Sequence, residues 1–462
     1  MATILCVTNG PAGSLYSIIE LARRLAGAGH RLTFCGLPHA RGLAEYHDFE
    51  FLQLDPSRYE EFLEADATNG ALHRLRNLRS RRERAQNSMS VGTFVSTVRR
   101  LDPDLVLIDG EMCEHIIAGS GTGASIALLN TFASIWRQPG QPPPHHMVRP
   151  GIGWNGTRVG ISLLWLELRF RKWWVAMSHW VRRVGCDRLS VLRQLARETG
   201  FNFRRETDAS QWLIPFTFPR FPVLSLHALE FEFPHNLPER VHFVGPMVLE
   251  SRTDRAMAEE DGAMLAAILE RRRHANGQRK LIFAGFGSFF STDPDFLNSL
   301  FGVVADREDW DLVISLGDRI APVELGRLPE RVHAFSWVPQ TSVLRHADVA
   351  VTHGGINTID ECVVYGVPML VYCGFETDMA GNTARIVHHG IGIAGNRRRD
   401  STLVIRSHID RLLHEPSFKR NILRLRRAYA AYAEDQVAER TVESLLGQES
   451  RGGTFATSGV IP

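Results

Sequence analysis

The sequence predicts an α/β fold built from two domains, each containing a parallel sheet. Short apolar runs typical of buried strands recur in both halves of the chain, and segments with helical periodicity lie between them. At roughly 150 residues per domain, the length of 462 residues allows two or three domains. The hydrophobic fraction of 44% and the charged fraction of 23% are typical of a folded protein and exclude disorder along the whole chain.

The N-terminal region carries the first complete unit of this alternation. Residues 3–7 form an apolar run, and residues 31–35 form a second one. The helical face between them repeats at intervals of three and four positions and consists of Ile18, Leu21, Ala22 and Leu25. Gly27 follows this face and predicts the end of the helix. A strand, a helix and a strand in this order form a βαβ unit, which implies a parallel sheet covered by helices.

Further apolar runs extend the alternation and divide the chain. In the first half they occupy residues 105–108 and 126–129, and in the second half 281–284, 312–314, 349–352 and 369–372. Proline punctuates residues 221–246 and a polar run follows, which indicates a linker. The predicted segments are a first domain (1–246), a linker (247–260), a second domain (261–418), a C-terminal helix (419–446) and a disordered tail (447–462).

Charge and cysteine content restrict the class of protein. The 53 Lys and Arg residues nearly balance 51 Asp and Glu residues, which argues against a nucleic-acid partner. The six cysteines are scattered without metal-binding spacing, so we expect buried thiols in a reducing compartment. The N-terminus lacks the regions of a signal peptide, and no uncharged apolar stretch is long enough to span a bilayer. These features predict a cytoplasmic protein.

Two segments of the first half leave alternatives open. Residues 74–84 contain six arginines, which indicate a solvated helix face or a contact with an acidic acceptor or an anionic membrane surface. Residues 161–184 are amphipathic, rich in tryptophan and punctuated by Arg and Lys. This second segment is too charged to span a bilayer. It predicts either a peripheral membrane contact or a long helix that packs on the core and lines an apolar pocket.

The motif between residues 337 and 382 is the most informative part of the chain. Residues 349–352 predict a buried strand, and His353-Gly354-Gly355 is a glycine turn that opens into a helix. The N-terminus of a helix presents unpaired backbone N–H groups, which favour a phosphate. His353 and Thr358 add hydrogen-bonding groups there, and Glu361 lies one turn further on, where its carboxylate can accept from a ribose diol. Trp337 offers a flat face on which a base can stack.

A second glycine loop, Gly285-Phe286-Gly287-Ser288, follows the apolar run 281–284. Its position makes it a second candidate phosphate loop, although a lone GxG is weak on its own. The third glycine of a dinucleotide fingerprint is absent, because Phe290 stands in its place. The sequence therefore argues against an NAD-binding site.

The 337–382 motif resembles the donor-site signature of family 1 UDP-glycosyltransferases of the bacterial natural-product type. The shared features are a tryptophan, a Pro-Gln pair, a His-Gly-Gly loop, a glutamate, Gly-Val-Pro, and a final Asp and Asn. The resemblance extends more weakly over most of the chain. It implies the GT-B fold, in which two Rossmann-like domains face each other across a cleft and a C-terminal helix crosses back to the first domain. The first domain would bind the acceptor, and the second would bind the nucleotide sugar.

The resemblance also implies a role for each matching residue. Trp337 would stack on uracil, and the backbone of Val338 would contact the edge of the base. Gln340 and Glu361 would bind the ribose, and Asp378 would bind the sugar. The diphosphate would lie at the two glycine loops, on Gly287, Ser288, His353, Gly355, Asn357 and Thr358. No metal and no cofactor are implied, because helix N-termini and His353 would carry the charge of the leaving group.

The sequence departs from the family at its catalytic base. The family has a histidine at the start of its first helix, and Ser14 occupies that position here. The family aspartate that orients this histidine matches Asp109, which is present. Three explanations stay open: Asp109 or Glu111 acts as the base, the acceptor needs no strong base, or the chain has lost turnover. At the sugar end, Met379 follows Asp378 where the family has glutamine, which puts glucose in doubt.

We therefore expect an inverting glycosyltransferase that uses a UDP-hexose, with a dTDP-deoxysugar as the second candidate donor. The acceptor would be an apolar small molecule or lipid, with Phe132, Trp136, Trp154 and the 161–184 helix as candidate pocket residues. A nucleotide-sugar epimerase of the same fold and a nucleotide-binding helper protein are the alternatives. The sequence does not determine whether the chain forms a homodimer.

Overall fold

The computed structural model describes most of the chain, namely residues 1–8, 12–236, 238–250, 257–275, 278–287, 294–317, 320–374 and 377–449. Ser288 lies outside these residues, as do part of the predicted linker and all but the first three residues of the predicted tail.

The first domain is built on a seven-stranded sheet of parallel strands in the order β3-β2-β1-β4-β5-β6-β7. Its strands are β1 (Thr3–Thr8), β2 (Arg31–Gly36), β3 (Glu50–Gln53), β4 (Leu105–Asp109), β5 (Ile126–Asn130), β6 (Val223–Ser225) and β7 (Val241–Phe243). The four apolar runs predicted in this half correspond to β1, β2, β4 and β5. The shorter strands β3, β6 and β7 were not predicted, because their three or four residues carry too little pattern.

Ten α-helices of the described residues surround this sheet. They are α1 (Ala12–Gly27), α2 (Pro38–Tyr46), α3 (Tyr59–Ala67), α4 (Ala71–Arg76), α5 (Leu78–Asn87), α6 (Gly92–Leu101), α7 (Cys113–Ser120), α8 (Arg158–Arg182), α9 (Arg188–Glu198) and α10 (Phe203–Glu206). Helix α1 ends at Gly27, as the sequence predicts. Its apolar face is completely buried, at Ile18, Leu21, Ala22 and Leu25. This face packs against one side of the sheet and fixes the orientation of the start of α1.

The second domain is built on a six-stranded parallel sheet in the order β10-β9-β8-β11-β12-β13. Its strands are β8 (Lys280–Gly285), β9 (Trp310–Ser315), β10 (Val332–Phe335), β11 (Val349–Thr352), β12 (Met369–Val371) and β13 (Gly392–Ala394). Its helices among the described residues are α11 (Glu259–His274), α12 (Pro294–Phe301), α13 (Gln340–Leu344), α14 (Ile356–Tyr365), α15 (Met379–His389), α16 (Thr402–His414) and α17 (Pro416–Glu434). All four apolar runs predicted in this half are strands.

The C-terminal segment is divided into two helices that pack on different domains. Helix α17 contributes Ile422, Leu425 and Tyr429 to the core of the second domain. The chain then turns at Asp435 and Gln436, where Gln436 has a φ of 52°. Helix α18 (Val437–Glu449) packs its apolar side into the cluster that also contains the face of α1. The return to the first domain therefore belongs to α18, whereas a single helix was predicted over 419–446.

Helix α8 does not bury the apolar face that the sequence predicts. Ile161, Trp165 and Leu168 face the protein and are at most 3% exposed. The opposite face is exposed, and its side chains are Leu163, Leu166, Phe170, Trp174, Met177 and Val181. The alternative in which this apolar face packs on the core is therefore wrong. No helix among the described residues is both long and apolar enough to cross a membrane.

Candidate active site

Both domains place polar residues where the order of their parallel strands reverses direction. In the first sheet this point lies between β1 and β4, and in the second between β8 and β11. Loops at the carboxyl ends of two such strands diverge to opposite faces of the sheet and leave a crevice in which ligands bind. Asp109 ends β4, while His353 directly follows β11. Asp109 and His353, which were predicted from the sequence as site residues, thus lie at these two crevices.

The ring of His353 is held between the two glycine loops of the second domain. A Cβ atom on Gly287 would lie 2.9 Å from His353 Cε1, and one on Gly355 would lie 2.6 Å from His353 Nε2. Side chains at either glycine would therefore displace the imidazole. Burial lowers the pKa of His353 to about 4, against a hydrogen bond with the backbone of Gly285. The imidazole is neutral at pH 7, and its single N–H serves the Gly285 backbone, so a hydrogen bond to a phosphate requires a second proton, which the charge of the phosphate favours.

Glu361 and Gln340 come together as the predicted ribose-binding pair requires. Glu361 is 1% exposed on the buried side of α14. Gln340 Nε2 donates to Glu361 Oε2 and to Thr358 Oγ1, at 3.2 Å for the latter. Val338 precedes them and is buried, whereas Trp337 is half-buried. The cluster can present one carboxylate and one amide to a diol.

Asn357 joins the two domains at the start of α14. Its side-chain nitrogen donates to the carbonyl oxygen of Gly13 at 2.8 Å, and its side-chain oxygen accepts from Ser17 Oγ at 2.8 Å. Ser14, the residue that replaces the expected histidine, lies between these two partners in the first turn of α1. The structure therefore places Ser14 beside the N-terminus of α14. The Asn357 amide, predicted to bind diphosphate, is engaged with the first domain.

Asp378 lies at the N-terminus of α15 and is linked through Asn382 to the glycine turn His353-Gly354-Gly355. Asn382 Nδ2 donates to Asp378 Oδ2 at 2.9 Å and to the carbonyl oxygen of Gly354 at 3.0 Å. Asn382 is completely buried. Burial raises the pKa of Asp378 above its usual range. This arrangement fixes the carboxylate that was predicted to bind the sugar.

Asp109 and Glu111 form a pair of carboxyl groups with raised pKa values at the carboxyl end of β4. Asp109 is 4% exposed, and burial raises its pKa to about 6, against a hydrogen bond of 3.1 Å from the backbone N–H of Glu111. The pKa of Glu111 is raised to about 7, first by desolvation and then by the charges of Asp109 and Asp378. The charge of Asp378 acts on Glu111 from the other domain, so the catalytic and sugar-binding candidates lie close enough to interact electrostatically. Both pKa values are suited to proton transfer near neutral pH.

A cavity of about 230 Å³ opens beside these carboxyl groups. Asp109 and Glu111 belong to its lining, and its apolar wall includes Phe132, Ile135, Trp136, Leu213, Phe218 and Phe221. Phe132 and Trp136 therefore line the cavity as predicted. Trp154 and helix α8 do not contribute to it, and the Trp154 side chain is 66% exposed. The prediction that they form the pocket is wrong, because α8 turns its apolar face outward.

Two buried ion pairs across the domain boundary were not predicted from the sequence. Glu232 accepts from Arg385 Nε at 2.8 Å, and it also accepts from the backbone N–H of Ser134 at 2.6 Å. His227 Nδ1 lies 2.6 Å from Asp360 Oδ2. Desolvation opposes the charged imidazole, but Asp360 outweighs it and the pKa of His227 is raised. The partners are more than 130 positions apart in the chain, so no local pattern indicates them.

His115, which lies one helical turn beyond Glu111 in the chain, is a core residue. It is 8% exposed and its ring lies edge-on to Phe94, and burial lowers its pKa. A separate group of metal-ligating types consists of His145, His146 and Glu167, whose ligand atoms lie within 4.8 Å of one another. These three residues lie on the loop before α8 and on α8 itself, and not among the donor-site residues.

Comparison with known proteins gives a match to a family model over part of the chain and a match in fold over almost all of it. A model of the UDP-glucoronosyl and UDP-glucosyl transferase family matches residues 220–432. Oleandomycin glycosyltransferase of Streptomyces antibioticus is 30% identical over 169 residues, which are 36% of this chain and only 38% of that relative's length.

Solved structures align over almost the whole chain. The kitacinnamycin glycotransferase has a TM-score of 0.67 at 20% identity, over 96% of this chain and 98% of that one. Glycosyltransferase VinC, in complex with dTDP, has a TM-score of 0.58 at 18% identity, over 97% and 100%. Residues 220–432 thus resemble the UDP-glucoronosyl and UDP-glucosyl transferase family, and the two domains have the GT-B fold of these glycosyltransferase structures.

Proposed function

We propose that this protein is an inverting glycosyltransferase that moves a hexose from a nucleotide diphosphate sugar to an apolar acceptor. One observation carries the proposal: the carboxyl pair Asp109 and Glu111 lines an apolar cavity of the first domain, and the charge of Asp378 in the second domain acts on Glu111. An acceptor in the cavity and a sugar held by Asp378 would meet between them. The names of the relatives, which include an antibiotic glycosyltransferase, support an apolar natural product as acceptor.

Asp109 is the proposed base. With a pKa of about 6 it is mostly ionised at neutral pH, so it can take the proton of the acceptor hydroxyl group. The acceptor oxygen then attacks the anomeric carbon on the face opposite the diphosphate. The new carbon–oxygen bond forms as the bond to the diphosphate breaks, which inverts the configuration. Ser14 does not titrate near neutral pH, and Glu111 is the alternative base.

The leaving diphosphate takes up negative charge during this step. His353 and the N-terminus of α14 would stabilise it with hydrogen bonds that are in place before the reaction, and such preorganised donors reduce the barrier. Each hydrogen bond to a charged group contributes about 1.5–3 kcal/mol. No metal and no cofactor enters this proposal.

The proposed donor is a UDP-sugar, and a dTDP-deoxysugar is the second candidate. The family description supports UDP, whereas VinC was solved with dTDP. Met379, which follows Asp378 where the family has glutamine, supports a sugar with fewer polar contacts. The pair Gln340 and Glu361 suits the 2′,3′-diol of UDP, whereas the deoxyribose of dTDP offers it a single hydroxyl group.

A screen of nucleotide sugars tests the proposal. Calorimetry with UDP- and dTDP-sugars, and with the free nucleotides as controls, should show binding of one nucleotide class, and slow sugar release should show turnover without acceptor. Binding without release, even with acceptor libraries, would favour the helper protein. Isomerisation of the sugar without acceptor would favour the epimerase. Absence of any nucleotide binding would contradict the proposed donor site.

A further inference from the structure

The outward face of α8 is an extended apolar surface that the proposed mechanism leaves unused. Seven of its side chains are between 42% and 63% exposed, and they are Leu163, Leu166, Phe170, Trp173, Trp174, Met177 and Val181. At 100° per residue they fall on one side of the helix, opposite the buried Ile161, Trp165 and Leu168. A contiguous apolar surface of this kind on a folded protein marks an interaction site.

The surroundings of this face are basic. Four exposed arginines lie on its two flanks, Arg158 and Arg169 on one and Arg171 and Arg182 on the other. Glu167 is the only acidic residue of the helix, and it pairs with His146 at 3.2 Å. Positive charge beside an apolar face with tryptophans is typical of a helix that lies in the interface of an anionic bilayer.

The arginine-rich segment 74–84 adds to this charge at the C-terminal end of α8. Arg74 Nη2 donates to the carbonyl oxygen of Arg182 at 3.0 Å, and Arg81 Nη2 donates to that of Arg183 at 3.0 Å. These two buried arginines fasten the segment to the helix. Arg76 and Arg79 of the same segment are exposed. A second copy of this chain on the same face would bring like charges together, whereas anionic phospholipid headgroups complement them.

Helix α8 is also joined to the wall of the acceptor cavity. Lys172 Nζ donates to the carbonyl oxygens of Gln211 and Leu213, at 2.9 and 2.7 Å. Both of these residues line the cavity. Ile214, the next residue, is 67% exposed. Gln211 and Leu213 thus both accept hydrogen bonds from α8 and line the acceptor cavity.

We propose that α8 docks this protein on an anionic phospholipid bilayer and holds the acceptor cavity beside the membrane, so that the acceptor is taken from the lipid phase. The second half of this statement rests on the proposed function, but the docking itself does not.

Vesicle co-sedimentation without any nucleotide sugar tests the docking independently of activity. We expect the full chain to bind phosphatidylcholine vesicles that contain about a third phosphatidylglycerol, and to bind pure phosphatidylcholine vesicles far less. The double variant Phe170→Ser, Trp174→Ser should bind the anionic vesicles about tenfold or more weakly, because both side chains would enter the bilayer interface. The matched control is Val323→Ser, Leu403→Ser, at side chains that are 85% and 71% exposed in the second domain.

Three results would overturn the proposal. The first is that the chain binds neither kind of vesicle. The second is that the two double variants bind the anionic vesicles equally well. The third is that sedimentation without vesicles shows a dimer that the α8 variant abolishes. The last result would assign the face to a second copy of the chain. Turnover of a water-soluble acceptor, measured separately, reports on the proposed function and should be unchanged in the α8 variant.

Discussion

Replacement of Asp109 by Asn tests the proposed base through the rate of glycosyl transfer. Asparagine retains the size of the side chain and an oxygen that can accept the N–H of Glu111, but it cannot take a proton. A positioned base contributes about 10²- to 10⁴-fold, which is about 3–5.5 kcal/mol of barrier. In the unmodified protein, kcat/KM should fall about tenfold per pH unit below about 6, where Asp109 becomes protonated. The assay is release of nucleotide from the donor with acceptor present, followed from pH 5 to 8.

The same variant should be more stable than the unmodified protein, although it is slower. A rise of the Asp109 pKa from 3.8 to about 6 on folding corresponds to a cost of about 3 kcal/mol for the ionised group, at about 1.4 kcal/mol per pKa unit. The folded chain holds its proton to higher pH, so the cost appears as pH rises through this window and is complete above it. Asp109→Asn should therefore gain about 3 kcal/mol at pH 8 and about half of that at pH 5, measured by denaturant unfolding of the first domain.

A matched control separates these effects from a simple loss of charge. Asp102 is exposed and lies on the chain before the opposite end of β4, so Asp102→Asn should alter neither rate nor stability by much. A rate within threefold of the unmodified protein in Asp109→Asn would refute Asp109 as the base and direct the same test to Glu111. An Asp109→Asn variant that is less stable at pH 8 would refute the unfavourable burial of the ionised carboxylate.

Three further predictions concern the donor site and the domain boundary. Glu361→Ala should weaken nucleotide binding by about tenfold or more in calorimetry, because the ribose would lose charge-assisted hydrogen bonds. Gly355→Ala should also weaken it, since the new Cβ would lie 2.6 Å from His353 Nε2 and push the imidazole away. Glu232→Ala should lower the free energy of unfolding by about 3–5 kcal/mol, because it leaves Arg385 buried without its ion-pair partner.

Each of these changes has a matched control in the chain. Glu270→Ala removes the same charge from an exposed side chain of the second domain, so nucleotide affinity should not change. Gly27→Ala adds a Cβ with no atom within 4 Å and should be tolerated. Glu250→Ala breaks an exposed pair with Arg345, which contributes about 1 kcal/mol or less. Equal effects in variant and control would contradict the corresponding contact.

The sequence by itself determined the fold class and the donor motif. Apolar runs of three to five residues predicted eight strands, because a strand buried on both faces needs a continuous run that is visible locally. The glycine turn His353-Gly354-Gly355 and the helix that follows are also local, since β11, the turn and α14 are consecutive in the chain. Short strands such as β6 and β13 were not predicted, because their three residues show no recognisable pattern and they are defined by pairing with neighbouring strands.

Only the tertiary structure decided which residues meet across the two domains. The sequence could pair Asp109 with a missing histidine, but it could not show that Asp378 lies close enough to influence the pKa of Glu111. It predicted the apolar face of α8 but not whether that face points inward or outward. Helical periodicity records which side chains share a face, whereas the direction of that face depends on contacts with distant segments, such as the bond from Lys172 to Gln211. Such contacts have no local pattern, and folding alone brings them together.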